Sequence, residues 1–264
     1  YNGLLGYGLK SERYVLKRAH LCEDRVEMES ELDKLQLPNN FKLVITGGGR
    51  VAGGAIELIE KTNIKKVSPQ AFLNNNFNYP VYTQLEVNDY VKREDGKAFD
   101  KSDFYSDPTN HLSNFLPYAK TADLYVACHY WDNRSPFIFS REQAKDNDWK
   151  ISVVADVSCD IDGPVASTLR PSTIADPFYG YHPNTEEEVS FMDKNSIGVM
   201  AVDNLPCELP KDASSEFGKM FIKHVLEPLT GNDPENIIFR ASETIDGKLT
   251  PHFSYLQDYL EGKN

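Results

Sequence analysis

The sequence predicts an α/β protein in which a parallel sheet is covered by helices. Short apolar runs rich in β-branched residues alternate along the chain with segments of helical periodicity. Three consecutive glycines, Gly47–Gly49, stand between the first of these runs and an amphipathic segment. Strands that alternate with helices pair in parallel, because the helix returns the chain to the starting edge of the sheet.

The first predicted elements flank the glycines. Residues 9–36 are highly charged with intermittent apolar positions and are predicted to be helical, and Pro38 ends that segment. Leu43–Ile45 form a short apolar run that favours a buried strand. The apolar positions that follow recur on one helical face: Val51, Ala55, Leu58 and Ile59.

The later elements continue the alternation. Residues 74–110 and 158–197 are rich in turn-forming residues and are predicted to be irregular, either as insertions or as functional loops. Further strands are predicted at 64–67, 124–128, 151–157 and 198–202, and helices at 111–119, 140–145 and 210–229, the last ended by Gly231.

The glycine segment predicts a dinucleotide site. Gly47, Gly49 and Ala52 fit the pattern G-x-G-x-x-G/A, in which the glycines allow a tight turn and close approach of a diphosphate. The following helix N-terminus offers free N–H groups to the phosphates, and Arg50 adds a permanent positive charge. The sequence therefore predicts a Rossmann-like fold, a doubly wound parallel sheet with flanking helices.

Polar residues follow three of the predicted strands. They are His129–Asp132, Asp156–Asp160 and Asp203–Asn204, and ligands of such sheets bind at the carboxyl ends of the strands. His129 is either a general base or a hydrogen-bonded residue that shapes the pocket. The aspartates either bind ribose hydroxyls, orient a substrate amine or cap loops. The substrate-side candidates are His129, Trp131 and Asp160.

Composition restricts the classes of partner. The net charge of −12 over 264 residues argues against a nucleic-acid surface. No apolar run approaches the roughly 18 residues of a membrane span. Four cysteines lie far apart, without the spacing of a disulfide framework or a metal site. These features predict a cytoplasmic protein with reduced thiols and no bound metal.

Several longer motifs resemble the saccharopine dehydrogenase and lysine-ketoglutarate reductase group, relatives of alanine dehydrogenase. The similarity is greatest to the reductase half of the bifunctional lysine-degradation enzyme. The matching segments run in the same order over nearly the whole chain: 1–10, 47–52, 127–131 with Ser135-Pro136, 154–163, 172–179 and 202–213.

The resemblance also implies a domain organisation. Residues 1–37 are expected to be a helical connector from an N-terminal domain that this chain lacks. Residues 38–206 are expected to be the NAD(P)-binding domain with insertions, and 207–264 a C-terminal helical return segment. The catalytic residues are expected in the N-terminal domain, so none is assigned here.

The resemblance further implies where the cofactor lies. Arg50 and Val51 are expected on the phosphates and Tyr130 near the adenosine. Ala155 and Asp156 are expected near the nicotinamide ribose. The residues expected to line the nicotinamide are Val202, Asp203, Asn204 and Leu205.

The choice between NAD and NADP is open at this stage. An NAD site usually places a carboxylate on the ribose about 20 residues beyond the glycines. That region reads Lys65-Lys66-Val67-Ser68 and carries none. A serine beside lysines tolerates a 2′-phosphate, so we expect NAD(P) with Ser68 as a contact and a slight preference for NADP.

The leading functional hypothesis is an oxidoreductase that acts on a carbon–nitrogen bond by hydride transfer, with a small amino-acid or oxo-acid substrate. One alternative is deamination of a small amino acid, as in alanine dehydrogenase. Another is a non-catalytic nucleotide-binding module. Assembly into a homo-oligomer is compatible with each hypothesis.

Overall fold

The protein is described here by a computed structural model that covers residues 1–263. Its strands are β1 (Lys42–Thr46), β2 (Lys65–Lys66), β3 (Val81–Leu85), β4 (Val91–Arg93), β5 (His111–Ser113), β6 (Leu124–Ala127), β7 (Val153–Asp156), β8 (Phe178–His182), β9 (Glu187–Val189), β10 (Ile197–Met200), β11 (Thr244–Ile245) and β12 (Lys248–Leu249). Its α-helices are α1 (Asn2–Lys10), α2 (Arg25–Ser30), α3 (Arg50–Ile59), α4 (Pro69–Asn74), α5 (Val87–Tyr90), α6 (Lys101–Ser106), α7 (Leu116–Ala119), α8 (Arg141–Ala144), α9 (Pro210–Phe221), α10 (Glu227–Thr230), α11 (Ile237–Ala241) and α12 (Gln257–Leu260). Short 3₁₀ turns and a π-helical turn at Ile222–Leu226 complete the regular structure.

The main sheet confirms the predicted fold class. Its eight strands lie in the order β2-β3-β1-β6-β7-β10-β8-β9. The six strands from β2 to β10 pair in parallel, and β8 and β9 extend this sheet with antiparallel pairs. The carboxyl ends of β3, β1, β6, β7 and β10 therefore meet at one rim of the sheet.

Both faces of the sheet are covered, as expected for a doubly wound fold. All five residues of β1 are buried. Since side chains alternate along a strand, Leu43 and Ile45 pack into one apolar cluster with α1 and α3, whereas Val44 packs into another on the opposite face. A strand buried on both faces reads as a continuous apolar run, which is why the sequence identified it.

The chain before the sheet differs from the predicted helix over 9–36. It contains α1, α2 and two 3₁₀ turns, Ala19–Leu21 and Glu31–Lys34. Its apolar residues lack a sustained helical period, so no single long helix forms. The three-glycine helix α1 lies against the sheet, and a Cβ added to Gly3 would stand 3.0 Å from the Cβ of Ala155.

Two segments predicted to be irregular contain strands of the sheet. β3 lies within residues 74–110 and pairs with both β1 and β2. β8 and β9 lie within residues 158–197. The helix predicted at 111–119 is also wrong in its first half, since His111–Ser113 pair with β4 and only Leu116–Ala119 are helical.

The chain divides into two compact units, Tyr1–Leu209 and a second unit that begins at Pro210. The helix predicted over 210–229 is present as α9, the π-helical turn and α10, with Gly231 as its cap. Among the described residues of the second unit, Thr250 is the one buried residue. Over residues 1–263, none of the helices combines the length and apolarity that crossing a membrane requires.

Candidate dinucleotide-binding site

The turn after β1 packs tightly against β6. Gly47 has φ of +112°, and a Cβ at this position would lie 2.5 Å from the carbonyl oxygen of Cys128. Its N–H donates to the carbonyl of Leu85 at 3.0 Å, and its own carbonyl accepts from Gln84 Nε2 at 3.0 Å. Glycine is therefore required here both by its backbone angle and by the close approach of β6.

Gly49 is open, in contrast to Gly47. It is the N-cap of α3, no side chain caps the helix, and no heavy atom lies within 4 Å of a Cβ placed on it. The first N–H groups of α3 thus have no side-chain acceptor and face free space, which suits a phosphate. Arg50 is exposed and forms no hydrogen bond or ion pair with the described part of the chain.

A cleft of about 520 Å³ begins at this turn. It lies at the carboxyl ends of β3, β1 and β6, where the ligand-binding rule for parallel sheets expects it. The sequence-predicted residues that line it are Gly47, Gly49, Arg50, Val51, His129, Tyr130 and Trp131. The glycine turn and the residues after β6 are therefore part of one cavity.

Glu86 is a lining residue that the sequence analysis missed. It directly follows β3, and the register Thr46↔Leu85 sets it beside Gly47. Its carboxylate occupies the space that a Cβ on Gly48 would need. The sequence signal for Glu86 is an acid directly after Val81–Leu85, and it is hidden because the turn-forming residues around this strand predict a loop.

The insertion between β3 and β6 forms the outer wall of the cleft. It contributes Tyr90, Lys101, Phe104 and Tyr105, and the Lys101 ammonium lies 5.9 Å from the centre of the Tyr105 ring. Tyr90 follows Glu86 closely and is buried. The cleft thus combines aromatic rings with a cation on this side, a surface suited to a flat base.

The residues after β6 differ in exposure. Tyr130 is 88 % exposed. The indole of Trp131 is half-buried, and its Nε1 donates to the carbonyl of Ser135 at 3.3 Å. His129 is buried, and this burial lowers its pKa to about 4. Its imidazole is therefore neutral at neutral pH.

Asp156 is the last residue of β7 and is fully buried. Its Oδ1 accepts from the Ser158 N–H at 3.1 Å, the Ser158 hydroxyl at 2.6 Å and the Cys159 N–H at 3.1 Å. Its Oδ2 accepts from the Thr168 hydroxyl at 2.6 Å. Burial raises the pKa of this carboxyl, against the effect of these donors. The carboxylate organises the loop after β7, with its acceptor sites used internally.

Other acids gather around the same loop. Burial raises the pKa of the Cys159 thiol to about 11, and the nearby charges of Asp156, Asp203 and Asp160 contribute to this rise. Burial also raises the pKa of Asp160. The thiol is therefore protonated at neutral pH, and Asp203, in contrast to the buried Asp156, is exposed to solvent.

An apolar surface adjoins these acids. Ala155, Met200 and Val202 form a buried cluster, and Leu205 packs against it. Asn204 is exposed. The predicted nicotinamide residues therefore include two apolar residues, Val202 and Leu205, and two exposed polar residues, Asp203 and Asn204. Ala155, which was expected near the ribose, belongs to the same apolar cluster.

Strand register relates the glycine turn after β1 to the residues that follow β7 and β10. Thr46 pairs with Ala127, and Ala127 pairs with Asp156. Met200 on the next strand pairs with Ala155. The glycine turn and Asp203 thus lie on the same rim, separated by three strand spacings or about 14 Å. An elongated ligand along this rim reaches both.

Ser68 does not line the cleft. It caps α4 by accepting from the Ala71 N–H at 3.2 Å, and it follows β2, which lies beyond β3 from the glycine turn. The prediction assigned it because β2 is the next strand in sequence. In space β3 is next to β1, so Glu86 holds the position that Ser68 was expected to hold.

No protein-family model matches the chain. Several known proteins are similar to it in sequence. An alpha-aminoadipic semialdehyde synthase from Arabidopsis thaliana is 29 % identical over 81 % of this chain. The mitochondrial alpha-aminoadipic semialdehyde synthase of Rattus norvegicus is 24 % identical over 83 %. A saccharopine dehydrogenase [NAD(+), L-lysine-forming] from Yarrowia lipolytica is 29 % identical over 47 %.

The matches cover only part of each relative. The chain spans 22 % of the Arabidopsis protein, 27 % of the rat protein and 32 % of the Yarrowia protein. The matched part of this chain includes most of its length in the first two cases. The chain is thus a homologue of alpha-aminoadipic semialdehyde synthases and saccharopine dehydrogenases, the group that its sequence motifs resemble.

Proposed function

We propose that this chain is the nicotinamide-dinucleotide domain of an oxidoreductase that acts on a carbon–nitrogen bond, as in the interconversion of lysine and 2-oxoglutarate with saccharopine. The observation that carries the proposal is the open glycine turn at the N-terminus of α3. Gly49 leaves free space in front of uncapped N–H groups. A diphosphate fits there by charge and by size.

We propose NAD rather than NADP as the cofactor. The Glu86 carboxylate stands over Gly48 at the end of the strand next to β1. A carboxylate at this position accepts hydrogen bonds from both ribose hydroxyls and repels a 2′-phosphate. This reverses the slight preference for NADP that was based on Ser68.

The relatives and the residues that follow β7 and β10 support the proposed reaction. A nicotinamide cofactor supplies the hydride chemistry when it is bound. In this chain Leu205 is partly exposed, and it packs on the buried Ala155 and Val202. Asp203 is an exposed acid close to Leu205 in sequence and is suited to attract a substrate amine. No residue of this chain is assigned to proton transfer.

Titration of the chain with NADH and NADPH, followed by nicotinamide fluorescence, tests the proposal. We expect saturable binding with NADH the tighter ligand. Gly49→Val should weaken NADH binding by at least about tenfold, because its side chain fills the space in front of the helix N-terminus. Gly53→Ala is the matched control, since its Cβ also meets no neighbour within 4 Å but Gly53 lies outside the cleft lining.

Thermal unfolding of both variants checks that the fold is kept. Two results would contradict the proposal. One is the absence of binding of either nucleotide at millimolar concentration. The other is equal NADH affinity of folded Gly49→Val and Gly53→Ala. Oxidation of NADH in the presence of lysine and 2-oxoglutarate then tests the reaction separately.

A further inference from the structure

A chain of three buried side chains ends at the cofactor cleft. The Tyr125 hydroxyl lies 2.8 Å from Thr46 Oγ1, and Thr46 Oγ1 lies 2.9 Å from His129 Nδ1. Tyr125 and Thr46 are fully buried, and His129 is 6 % exposed. The other imidazole nitrogen, Nε2, is buried and has no hydrogen-bond partner among residues 1–263.

The number of polar hydrogens on Tyr125, Thr46 and His129 decides which group donates in each of these hydrogen bonds. The three side chains carry three hydrogens on polar atoms: one on Tyr125, one on Thr46 and one on the neutral imidazole. When Tyr125 donates to Thr46 and Thr46 donates to Nδ1, both hydroxyl hydrogens and the Nδ1 lone pair are satisfied. The imidazole hydrogen is then on Nε2, and this N–H is the single group left without a partner.

The other directions leave more groups unsatisfied. If Nδ1–H donates to Thr46 and Thr46 donates to Tyr125, the Tyr125 hydrogen and the Nε2 lone pair both lack partners. If Thr46 accepts from both neighbours, its own hydrogen and the Nε2 lone pair lack them. Each buried polar group without a partner carries a desolvation penalty, so the first arrangement has the lowest free energy.

We propose that His129 is fixed as the Nε2–H tautomer and donates a hydrogen bond through Nε2 to a diphosphate oxygen of the bound dinucleotide. The proposal rests on the proposed function. His129 lines the cleft, and its backbone nitrogen stands 3.1 Å from the Cβ position of Gly47 in the phosphate-binding turn. The backbone of His129 is thus next to the turn at which the proposed function places the diphosphate, the most anionic part of the proposed ligand.

Access to Nε2 involves Tyr90. The Tyr90 ring also lines the cleft, and its centre lies 6.2 Å from that of the imidazole. Because Nε2 is shielded from solvent, the proposal includes a shift of the Tyr90 side chain when the diphosphate enters. His129 is then a binding residue, with Thr46 and Tyr125 as the residues that set its tautomer.

The tautomer is tested in the chain before any nucleotide is added. ¹⁵N NMR of histidine-labelled protein distinguishes a protonated from an unprotonated Nε2. We expect Nε2 of His129 to carry the hydrogen. Thr46→Val should shift the imidazole toward a mixture of tautomers, because Nδ1 then loses its hydrogen-bond partner and the two ring nitrogens are no longer distinguished. An unprotonated Nε2 in the wild-type protein would overturn the assignment.

NADH binding by two variants tests the donated hydrogen bond. The amide of His129→Gln reaches the Nε2 position, whereas that of His129→Asn reaches only the Nδ1 position. We expect His129→Gln to bind NADH nearly as tightly as wild type and His129→Asn about three- to tenfold more weakly. Circular dichroism checks the fold of both variants, and the wild-type NMR shift of the Nε2 hydrogen on NADH addition tests the same contact without a substitution.

The two proposals fail in different ways. If wild-type protein binds neither NADH nor NADPH, the proposed function fails. The diphosphate oxygen proposed to accept from His129 is then also excluded, although the tautomer result still stands. If wild type binds NADH but the Nε2 hydrogen is unaffected, or folded Gln and Asn variants bind equally, the role of His129 is overturned while the proposed function remains.

Discussion

In the proposed site, we expect the charge of Glu86 to distinguish the two nicotinamide dinucleotides. We expect Glu86→Ser to reduce the preference for NADH over NADPH by about ten- to a hundredfold, because a hydrogen bond to a carboxylate is lost and repulsion of the 2′-phosphate is removed. Glu86 is the N-cap of α5, and serine is a favourable N-cap, so the substitution should preserve the fold.

Fluorescence titration with both nucleotides measures this ratio. Glu94→Ser serves as the control, since Glu94 is an exposed acid of the same insertion and does not line the cleft. An unchanged ratio in Glu86→Ser would show that Glu86 does not select the cofactor. In that case the cations Arg50 and Lys101 would be the next residues to examine.

His129 also makes stability depend on pH. Burial lowers its pKa to about 4, whereas a histidine in the unfolded chain titrates near 6.5. As pH falls through this interval the unfolded state binds the proton first, so the free energy of unfolding decreases. The full effect is about 3 kcal/mol, and it is absent above pH 6.5.

Urea unfolding at pH 7.5, 5.5 and 4.5 measures this effect. Other titrating groups contribute equally to wild type and to His129→Gln, so the difference between the two proteins isolates the imidazole. Below pH 6.5, we expect the free energy of unfolding of wild type to fall relative to that of His129→Gln, by up to about 1.4 kcal/mol per pH unit. If the difference in the free energy of unfolding between the two proteins stays constant from pH 7.5 to 4.5, the prediction for His129 is wrong.

Individual strands and helices were predicted correctly where the local sequence carries a strong signal. The buried run at β1 and the glycine turn were identified because continuous apolarity and glycine have few other interpretations. The helix after Ser140 was identified by its cap. Ser140 Oγ accepts from the Gln143 N–H at 3.2 Å, and Gln143 Oε1 accepts from the Ser140 N–H at 2.9 Å.

The missed strands lacked such a signal. β3 contains Thr83 and Gln84 and is surrounded by turn-forming residues, yet it is held between β1 and β2 by pairing on both sides. That pairing is a tertiary interaction, and strand formation depends on it more than on local propensity. Because β3 is not recognisable in the sequence, Ser68 was expected at the cleft and Glu86, which lines it, was missed.

For the molecule as a whole, the sequence predicted the class of fold and the rim on which candidate residues lie. Which of them share a cavity depends on strand order and register, which no local pattern contains. Asp156 illustrates the difference. Its place at the end of a strand was predictable. Three of the hydrogen bonds to its carboxylate come from Ser158 and Cys159 nearby, whereas the fourth comes from Thr168, twelve residues away, which no local pattern indicates.

The distribution of buried residues over the chain leads to a prediction about the first compact unit. The four apolar clusters, three of which include residues of the sheet, are built from residues before Pro210. The described residues that line the cleft also precede Pro210. A protein of residues 1–209 should therefore fold on its own and bind NADH with the affinity of the complete chain.

Circular dichroism and NADH titration of residues 1–209 and of the complete chain provide the comparison. We expect cooperative unfolding in both, with Tm values within about 4 °C, which corresponds to about 1 kcal/mol for a unit of this size. Loss of cooperative unfolding in residues 1–209 would mean that the second unit stabilises the sheet. Retained folding with lost NADH binding would instead mean that residues beyond Leu209 take part in the cofactor site.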